Sequence, residues 1–212
     1  MTVDSLLKVN MKHLLIIRHG RPDENHSLCP GDPPLDTQGM QHAFSLAEKL
    51  VDEGIDRIVS SPQRRAIDTA TPLAKLLNLD IEIFEGLAEV DYPSDRYRSI
   101  ETMRQEESAE NLARFMASPL QFYGHDPEVF MRNVYSAYRR IFEGEKGQRI
   151  AVFTHGVTTK TFVSAVLGLS EIRYGKFHLN HCSVTRLSGE SFEALRLDSL
   201  NETLADFRSL ES

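Results

Sequence analysis

Residues Leu14–Gly20 read LLIIRHG, four consecutive apolar residues followed at once by Arg18, His19 and Gly20. A short apolar run that ends in polar residues is typical of a strand buried on both faces, so we predict a strand at His13–Ile17. A strand that only reaches solvent can end in any polar residue. Here the strand ends in two side chains that can carry positive charge, next to a glycine. This combination is more specific than a polar strand end in general, and it indicates a pocket at the end of this strand.

A second segment of the chain repeats this arrangement. The apolar run Arg149–Phe153 is predicted to be a strand, and Thr154, His155 and Gly156 follow it directly. The carboxyl ends of adjacent parallel strands lie at the same edge of a sheet, where binding sites gather. We therefore predict that His19 and His155 lie close together.

The rest of the sequence alternates short apolar runs with amphipathic segments. We predict further strands at Arg57–Ser60, Ile81–Phe84, Ser183–Leu187 and Phe192–Leu197, and helices at Gln38–Asp52, Arg65–Leu77 and from Gly156 to Leu167. This alternation predicts an α/β fold with three α/β/α layers and a mostly parallel central sheet.

Residues Pro93–Glu145 interrupt the alternation. They contain two helical stretches, about Tyr97–Met116 and Pro127–Phe142, with no strand pattern between them. We interpret residues 93–145 as a helical insertion within a single domain of residues 11–212, preceded by an N-terminal extension of residues 1–10. The insertion either shapes a substrate entrance or only stabilises the surface, and the sequence favours neither.

Composition excludes several classes of protein. The chain has 212 residues, of which 41% are hydrophobic and 26% charged, as expected for an ordinary globular domain. A net charge of −7 disfavours a nucleic-acid-binding protein with a broad basic surface. The chain has no apolar run near the roughly 18 residues that a membrane span requires, and its start lacks the pattern of a secretory signal.

The two cysteines, Cys29 and Cys182, lack the spacing of a metal site. One disulfide between them is an open alternative, and reduced thiols in a cytoplasmic protein are the simpler interpretation. We expect a cytoplasmic protein without a nucleic-acid or membrane partner. Its oligomeric state stays open, with a homodimer among the alternatives.

Two further strand ends add charged side chains. Residues Ser60–Ala66 read SSPQRRA and start a helix. The helix dipole at this end is unfavourable for an arginine and favourable for an anion, so the arginines here indicate that an anion binds at the same place. Residues Leu87–Asp91 read LAEVD and bring two carboxylates. These groups fit phosphoryl transfer, since guanidinium binds phosphate, neutral imidazole is a nucleophile and a carboxylic acid protonates a leaving oxygen.

These segments together resemble the histidine phosphatase superfamily, which contains cofactor-dependent phosphoglycerate mutases and many phosphatases. The resemblance covers about His13–Asn201 and rests on Arg-His-Gly, on Ser-Ser-Pro-x-x-Arg-Ala followed by Thr69 and Ala70, and on the late Thr-His-Gly. The segment GDPPLDTQG also resembles the family, with Asp36 where threonine is more usual.

The resemblance implies a role for each matching residue. His19 would be the nucleophile that becomes phosphorylated, and Arg18, Arg65 and His155 would bind the phosphoryl oxygens. Glu89 would protonate the leaving group and then deprotonate the water that cleaves the phosphohistidine.

The resemblance also implies minor contacts to the substrate. Asn25 matches an asparagine that often reaches the phosphoryl group, and the backbone N–H of Gly156 is a further donor at a helix start.

No metal or other cofactor is implied. A metal cluster of His178, His181 and Cys182 is disfavoured because the three fall on both faces of a short extended segment.

The chain departs from the family pattern after Arg-His-Gly, where it continues with Arg21 and Pro22 and so lacks a hydroxyl and a backbone donor. Arg21 would either contact a carboxylate or second phosphate of the substrate, or be a surface arginine paired with Asp23 or Glu24. We favour the surface pair slightly.

A second departure concerns the reaction. After Glu89 the chain carries Tyr92–Asp95, YPSD, where mutases usually have Tyr-Gly-x-Leu-x-Gly. We therefore predict a phosphatase that hydrolyses a small phosphorylated metabolite through a phosphohistidine on His19. The alternatives are a phosphoglycerate mutase and a non-catalytic module that binds a phosphorylated ligand.

Overall fold

The computed structural model describes residues 11–93, 95–169, 172, 174–176 and 178–204. The predicted N-terminal extension of residues 1–10 lies outside the described residues. The regular elements are β1 (Lys12–Arg18), α1 (Thr37–Leu50), β2 (Arg57–Ser60), α2 (Arg64–Leu77), β3 (Ile81–Ile83), α3 (Ile100–Glu106), α4 (Ala109–Ala117), α5 (Pro119–Phe122), α6 (Pro127–Glu143), β4 (Arg149–Thr154), α7 (Gly156–Val166), β5 (Val184–Gly189) and β6 (Arg196–Glu202).

The six strands form one sheet in the order β3-β2-β4-β1-β5-β6. The first four of these strands are parallel, whereas β5 and β6 are antiparallel to their neighbours. Strands β1 and β4 are adjacent in a register that pairs Arg18 with Thr154. The two strand ends that carry His19 and His155 are therefore neighbours, as predicted.

The alternation of side chains along β1 creates the three layers. Leu14 and Ile16 pack in one core cluster with residues of α6 and α7, and Leu15 and Ile17 pack in another with residues of α1 and α2. Burying each such side chain contributes about 1.5–3 kcal/mol. Strand β1 is therefore held from both faces, and the residues that follow it have fixed positions. The predicted three-layer α/β/α fold is confirmed.

The structure corrects the predicted bounds of two elements. The last strand begins at Arg196 rather than Phe192, because Phe192 packs into the core beside Phe162 instead of pairing in the sheet. The single helix predicted at Tyr97–Met116 is two helices, since the Ser108 side chain accepts a hydrogen bond from the Asn111 N–H and starts α4.

Helices α3 to α6 occupy the region predicted as the insertion, between β3 and β4.

Both cysteines are free thiols, Cys29 exposed and Cys182 buried. Within the described residues, the structure contains no helix long and apolar enough to cross a membrane.

Candidate active site

His19 follows β1 directly and is only 2% exposed. Its backbone N–H donates to the Thr154 carbonyl at 2.9 Å, which ties it to the end of β4. Its ring Nδ1 lies 2.7 Å from the Gly20 carbonyl oxygen. Because a carbonyl can only accept, Nδ1 carries the ring proton and the lone pair is on Nε2. A lone pair on Nε2 is what a nucleophilic imidazole requires.

Electrostatics keeps the His19 ring neutral. Burial, followed by the charge of Arg65 and then by His155 and Arg18, lowers the pKa of His19 well below its ordinary value. A neutral imidazole is the form that can attack phosphorus. The same arginines that repel a proton would attract an anionic substrate.

Gly20 ties the backbone next to His19 to helix α2. Its N–H donates to the Thr69 hydroxyl at 2.9 Å, and that hydroxyl donates to the Arg65 carbonyl at 2.6 Å, so His19 is linked to helix α2. A Cβ atom on Gly20 would lie 2.9 Å from the Gly39 carbonyl oxygen. A larger residue at this position would displace the chain next to His19.

His155 lies beside His19 at the end of β4. The two ring centroids are 5.1 Å apart, and the His155 side chain is fully buried. Its Nε2 is 2.7 Å from the Ser61 hydroxyl oxygen, whereas its Nδ1 has no hydrogen-bond partner among the described residues. Burial, followed by Arg65 and Arg18, lowers the pKa of His155 well below its ordinary value.

Arg65 lies in the first turn of α2 and is completely buried. Its Nη2 donates to both carboxylate oxygens of Asp91, at 2.8 and 3.1 Å. Its guanidinium lies 4.6 Å from the centre of the Tyr97 ring, and its Nη1 is 3.8 Å from Asp32. Neither Nε nor Nη1 has a hydrogen-bond acceptor in the described part of the chain.

Arg18 presents a second incompletely satisfied guanidinium. One of its Nη groups donates to the Leu179 carbonyl, while its buried Nε finds no acceptor within the described residues. Buried charged donors are costly unless they are paired. Arg18, Arg65 and His155 all lie near enough to His19 to lower its pKa, and a phosphoryl group would supply acceptors for their unpartnered nitrogen atoms.

Glu89 completes this group beside the start of α7. Its Oε2 accepts a hydrogen bond from the Val157 N–H at 2.8 Å, and its Oε1 accepts one from Val90 at 3.0 Å. Burial, and after it the charge of Asp91, raises the pKa of Glu89. A Cβ built on Gly156 would lie 3.6 Å from Arg18 Nε and 3.9 Å from Glu89 Oε2, so both groups lie beside the start of α7.

Two other predicted contact residues, Arg21 and Asn25, are exposed at the surface. The exposed Arg21 pairs with Asp36, the residue that caps α1, rather than with Asp23 or Glu24. Asn25 is exposed, and its backbone N–H donates to Asp23 at 3.1 Å. A role for Arg21 or Asn25 in binding substrate stays a prediction.

Sequence reasoning missed Gln63, which links the start of the helix that carries Arg65 to the segment that carries Glu89. Its fully buried side chain donates to Asp91 at 3.0 Å and accepts from the Glu89 backbone N–H at 2.7 Å. Asp91 is thereby occupied by Gln63 and Arg65, which favours Glu89 over Asp91 as the leaving-group acid. The only sequence signal for Gln63 was a polar residue inside the Ser-Ser-Pro-x-x-Arg-Ala segment.

Replacing Gln63 by leucine should destabilise the fold and misplace Glu89. The substitution leaves the Glu89 N–H without its acceptor, which costs about 1–3 kcal/mol for a buried group. Urea denaturation measures the loss, with Gln41→Leu on the exposed surface of α1 as the matched control. Equal stability of the two variants would show that the Gln63 bonds contribute nothing.

The described residues contain no group of three or more histidine, cysteine, aspartate or glutamate side chains arranged to hold a metal ion.

Solved structures with a similar fold include phosphatases. A mycobacterial glucosyl-3-phosphoglycerate phosphatase matches with a TM-score of 0.75 and 22% sequence identity, covering 91% of this chain and 99% of that one. A phosphoserine phosphatase from Entamoeba histolytica matches with a TM-score of 0.72 and 22% identity, covering 91% of this chain and 98% of that one. At these identities the likeness establishes the fold.

Sequence comparison extends over nearly the whole chain. The probable phosphoglycerate mutase GpmB of Salmonella paratyphi A is 26% identical over 209 residues, which are 95% of this chain and 96% of that protein. Residues 14–203 match the family model of the histidine phosphatase superfamily (branch 1). The match includes the two strand ends, the start of α2 and the Glu89 segment, and the chain belongs to branch 1 of the histidine phosphatase superfamily.

Proposed function

We propose that this protein is a cytoplasmic phosphatase that hydrolyses a small phosphomonoester through a phosphohistidine on His19. The observation that carries the proposal is the environment of His19. A buried neutral imidazole, held through Nδ1 so that Nε2 carries the lone pair, lies among buried donors of Arg18, Arg65 and His155 that lack acceptors within the described chain.

The first chemical step transfers the phosphoryl group to the enzyme. His19 Nε2 attacks phosphorus, the ester P–O bond breaks, and the proton of the Glu89 carboxylic acid goes to the leaving oxygen. Arg18, Arg65 and His155 bind the phosphoryl oxygens, on which negative charge is spread in the transition state. The product alcohol then leaves, and His19 carries the phosphoryl group.

The second step returns the enzyme to its starting state. The Glu89 carboxylate accepts a proton from a water molecule as that water attacks phosphorus and the P–N bond to His19 breaks. Inorganic phosphate is released, Nε2 regains its lone pair, and Glu89 is again protonated. The same carboxyl group therefore acts as acid in one step and as base in the next.

The alternative is a phosphoglycerate mutase, since relatives with this fold carry both kinds of name. The two enzymes share the phosphohistidine and differ in what accepts its phosphoryl group. Hydrolysis is favoured here by the segment Tyr92–Asp95, which departs from the mutase pattern directly after Glu89 and Asp91. A binding module without turnover is the third alternative.

One set of assays separates these functions. The protein is incubated in a chelator with an aryl phosphate over pH 5–8, and separately with a monophosphoglycerate and a bisphosphoglycerate primer. We expect steady release of inorganic phosphate and an acid-labile phosphohistidine in rapid-quench samples. Efficient isomerisation with little phosphate release would identify a mutase instead, and tight vanadate binding without hydrolysis would identify a binding module.

A further inference from the structure

His181 is a third histidine next to the nucleophile. Its ring centroid lies 5.4 Å from that of His19, comparable to the 5.1 Å that separates His19 from His155. Its Nε2 is buried and has no hydrogen-bond partner among the described residues. The reaction described above makes no use of this side chain.

The backbone around His181 is tied to the nucleophile. The N–H of Cys182 donates to the carbonyl oxygens of both Arg18, at 3.0 Å, and His19, at 3.3 Å. The Arg18 guanidinium in turn donates to the Leu179 carbonyl. Cys182 takes a left-handed backbone conformation, with φ of 55°, so the chain turns sharply directly after His181. These bonds hold the backbone on both sides of His181 to Arg18 and His19, so the position of His181 does not depend on side-chain packing alone.

The charges around His181 favour an anion beside it. Burial, and then the charges of Arg18 and Arg21, lower the pKa of His181 to about 2, so the ring is neutral. A neutral imidazole has one N–H to donate. A phosphoryl group held by Arg18 and Arg65 would supply an acceptor for that N–H in a place where the described residues supply none.

We propose that His181 is a further ligand of the phosphoryl group, and that its Nε2–H donates a hydrogen bond to a phosphoryl oxygen in the transition state and in the phosphohistidine. This inference rests on the proposed function, because it assigns a group to the same site. It would place neutral donors from His155 and His181 around the phosphoryl group, together with the two guanidinium groups.

Three variants test this inference. His181→Leu removes the donor, and His181→Gln keeps an amide N–H that can reach a similar place. His178→Leu is the matched control, an exposed histidine in the same segment that bonds to the Asn180 side chain. We expect kcat/KM for an aryl phosphate to fall about 10²-fold in His181→Leu, as for loss of one preorganised donor, to recover largely in His181→Gln and to stay unchanged in His178→Leu.

Vanadate inhibition separates a ligand from a structural residue. We expect the vanadate inhibition constant to rise in His181→Leu but not in His181→Gln, with similar thermal midpoints for both. The loss of kcat/KM should be the same at pH 5.5 and pH 7.5, because a neutral donor does not titrate there.

Two results would overturn the inference: a His181→Leu variant with unchanged kcat/KM and vanadate inhibition, or equal losses in the leucine and glutamine variants accompanied by lower thermal midpoints. Vanadate binding is measurable by calorimetry without turnover. If the unmodified protein hydrolyses nothing, the proposed function fails. Vanadate binding that is weaker in His181→Leu than in His181→Gln would then still support His181 as a ligand of a bound anion, and equal vanadate binding in both would overturn that role as well.

Discussion

Replacement of His19 by alanine should reduce kcat/KM for an aryl phosphate by at least about 10⁴-fold, the scale seen when a nucleophile that works with its neighbours is removed. The reason is the covalent route. Without Nε2, the remaining donors of Arg18, Arg65 and His155 can bind a phosphate ester but cannot accept its phosphoryl group. Bound substrate would then depend on direct attack by water.

Steady-state kinetics and rapid-quench labelling together check the His19→Ala prediction. The variant should bind vanadate or phosphate but form no acid-labile phosphoenzyme, and its circular dichroism and thermal midpoint should show that it is folded. His178→Ala, in an exposed position, is the matched control. Turnover that survives in His19→Ala would contradict the mechanism. If His155→Ala abolished labelling while His19→Ala did not, the nucleophile would be His155.

The position of His19 could be predicted because it depends on local patterns. The apolar run that forms β1 buries residues on both faces, so the polar residues after it must emerge at the sheet edge. The same pattern at β4 places His155 at that edge. The prediction assumed that these two strands are adjacent, and the observed parallel pairing of β1 with β4 confirms the assumption.

Contacts made by side chains far apart in sequence could not be predicted in this way. The bond from Gln63 to Asp91 spans 28 residues and depends on the path of the chain between β2 and the Glu89 segment. The place of His181 beside His19 depends on the turn at Cys182. A left-handed conformation is usually indicated in sequence by a glycine, and this one falls on a cysteine. Phe192 was assigned to a strand because an apolar residue packed on the core and one in a sheet look alike in sequence.

The loop after Gly20 illustrates the same limit. Of the two alternatives for Arg21, the slightly favoured one pairs it with Asp23 or Glu24, but its partner is Asp36, 15 residues away. Glu24 instead accepts hydrogen bonds from the Ser99 N–H, at 3.0 Å, and from the Thr102 hydroxyl, at 2.6 Å, at the start of α3. The loop is therefore tied to the helical region of residues 100–143 by a contact that sequence spacing does not indicate.

Replacing Glu89 by glutamine should separate two classes of substrate. We expect kcat/KM for an alkyl phosphate to fall about 10³-fold, within the usual range for loss of a general acid. For an aryl phosphate the loss should be less than about 10-fold, because an aryl oxide leaves without needing a proton. The ratio kcat/KM reports the steps up to release of the alcohol, so a role of Glu89 in the later attack of water does not obscure the comparison.

The pH dependence of the alkyl reaction identifies which form of Glu89 is active. Burial and Asp91 raise the pKa of Glu89, so its protonated form persists to higher pH than in an ordinary glutamate, and kcat/KM should fall as pH rises through that pKa. Because the pKa of His19 is lowered, its ring becomes protonated, and loses the lone pair on Nε2, only at a pH well below that at which an ordinary histidine titrates. The two shifts run in opposite directions, and both favour the state in which the imidazole and the carboxylic acid are neutral at the same time.

Glu89→Gln should remove the fall of alkyl-phosphate kcat/KM at higher pH and leave the fall at low pH in place, since glutamine does not titrate and His19 is unchanged. Glu85→Gln is the matched control, an exposed carboxylate in the 3-10 turn just before Glu89. Equal losses for alkyl and aryl phosphates in Glu89→Gln would remove Glu89 from the acid role. Asp91→Asn would then be the next variant to measure, although its carboxylate is bonded to Arg65 and Gln63.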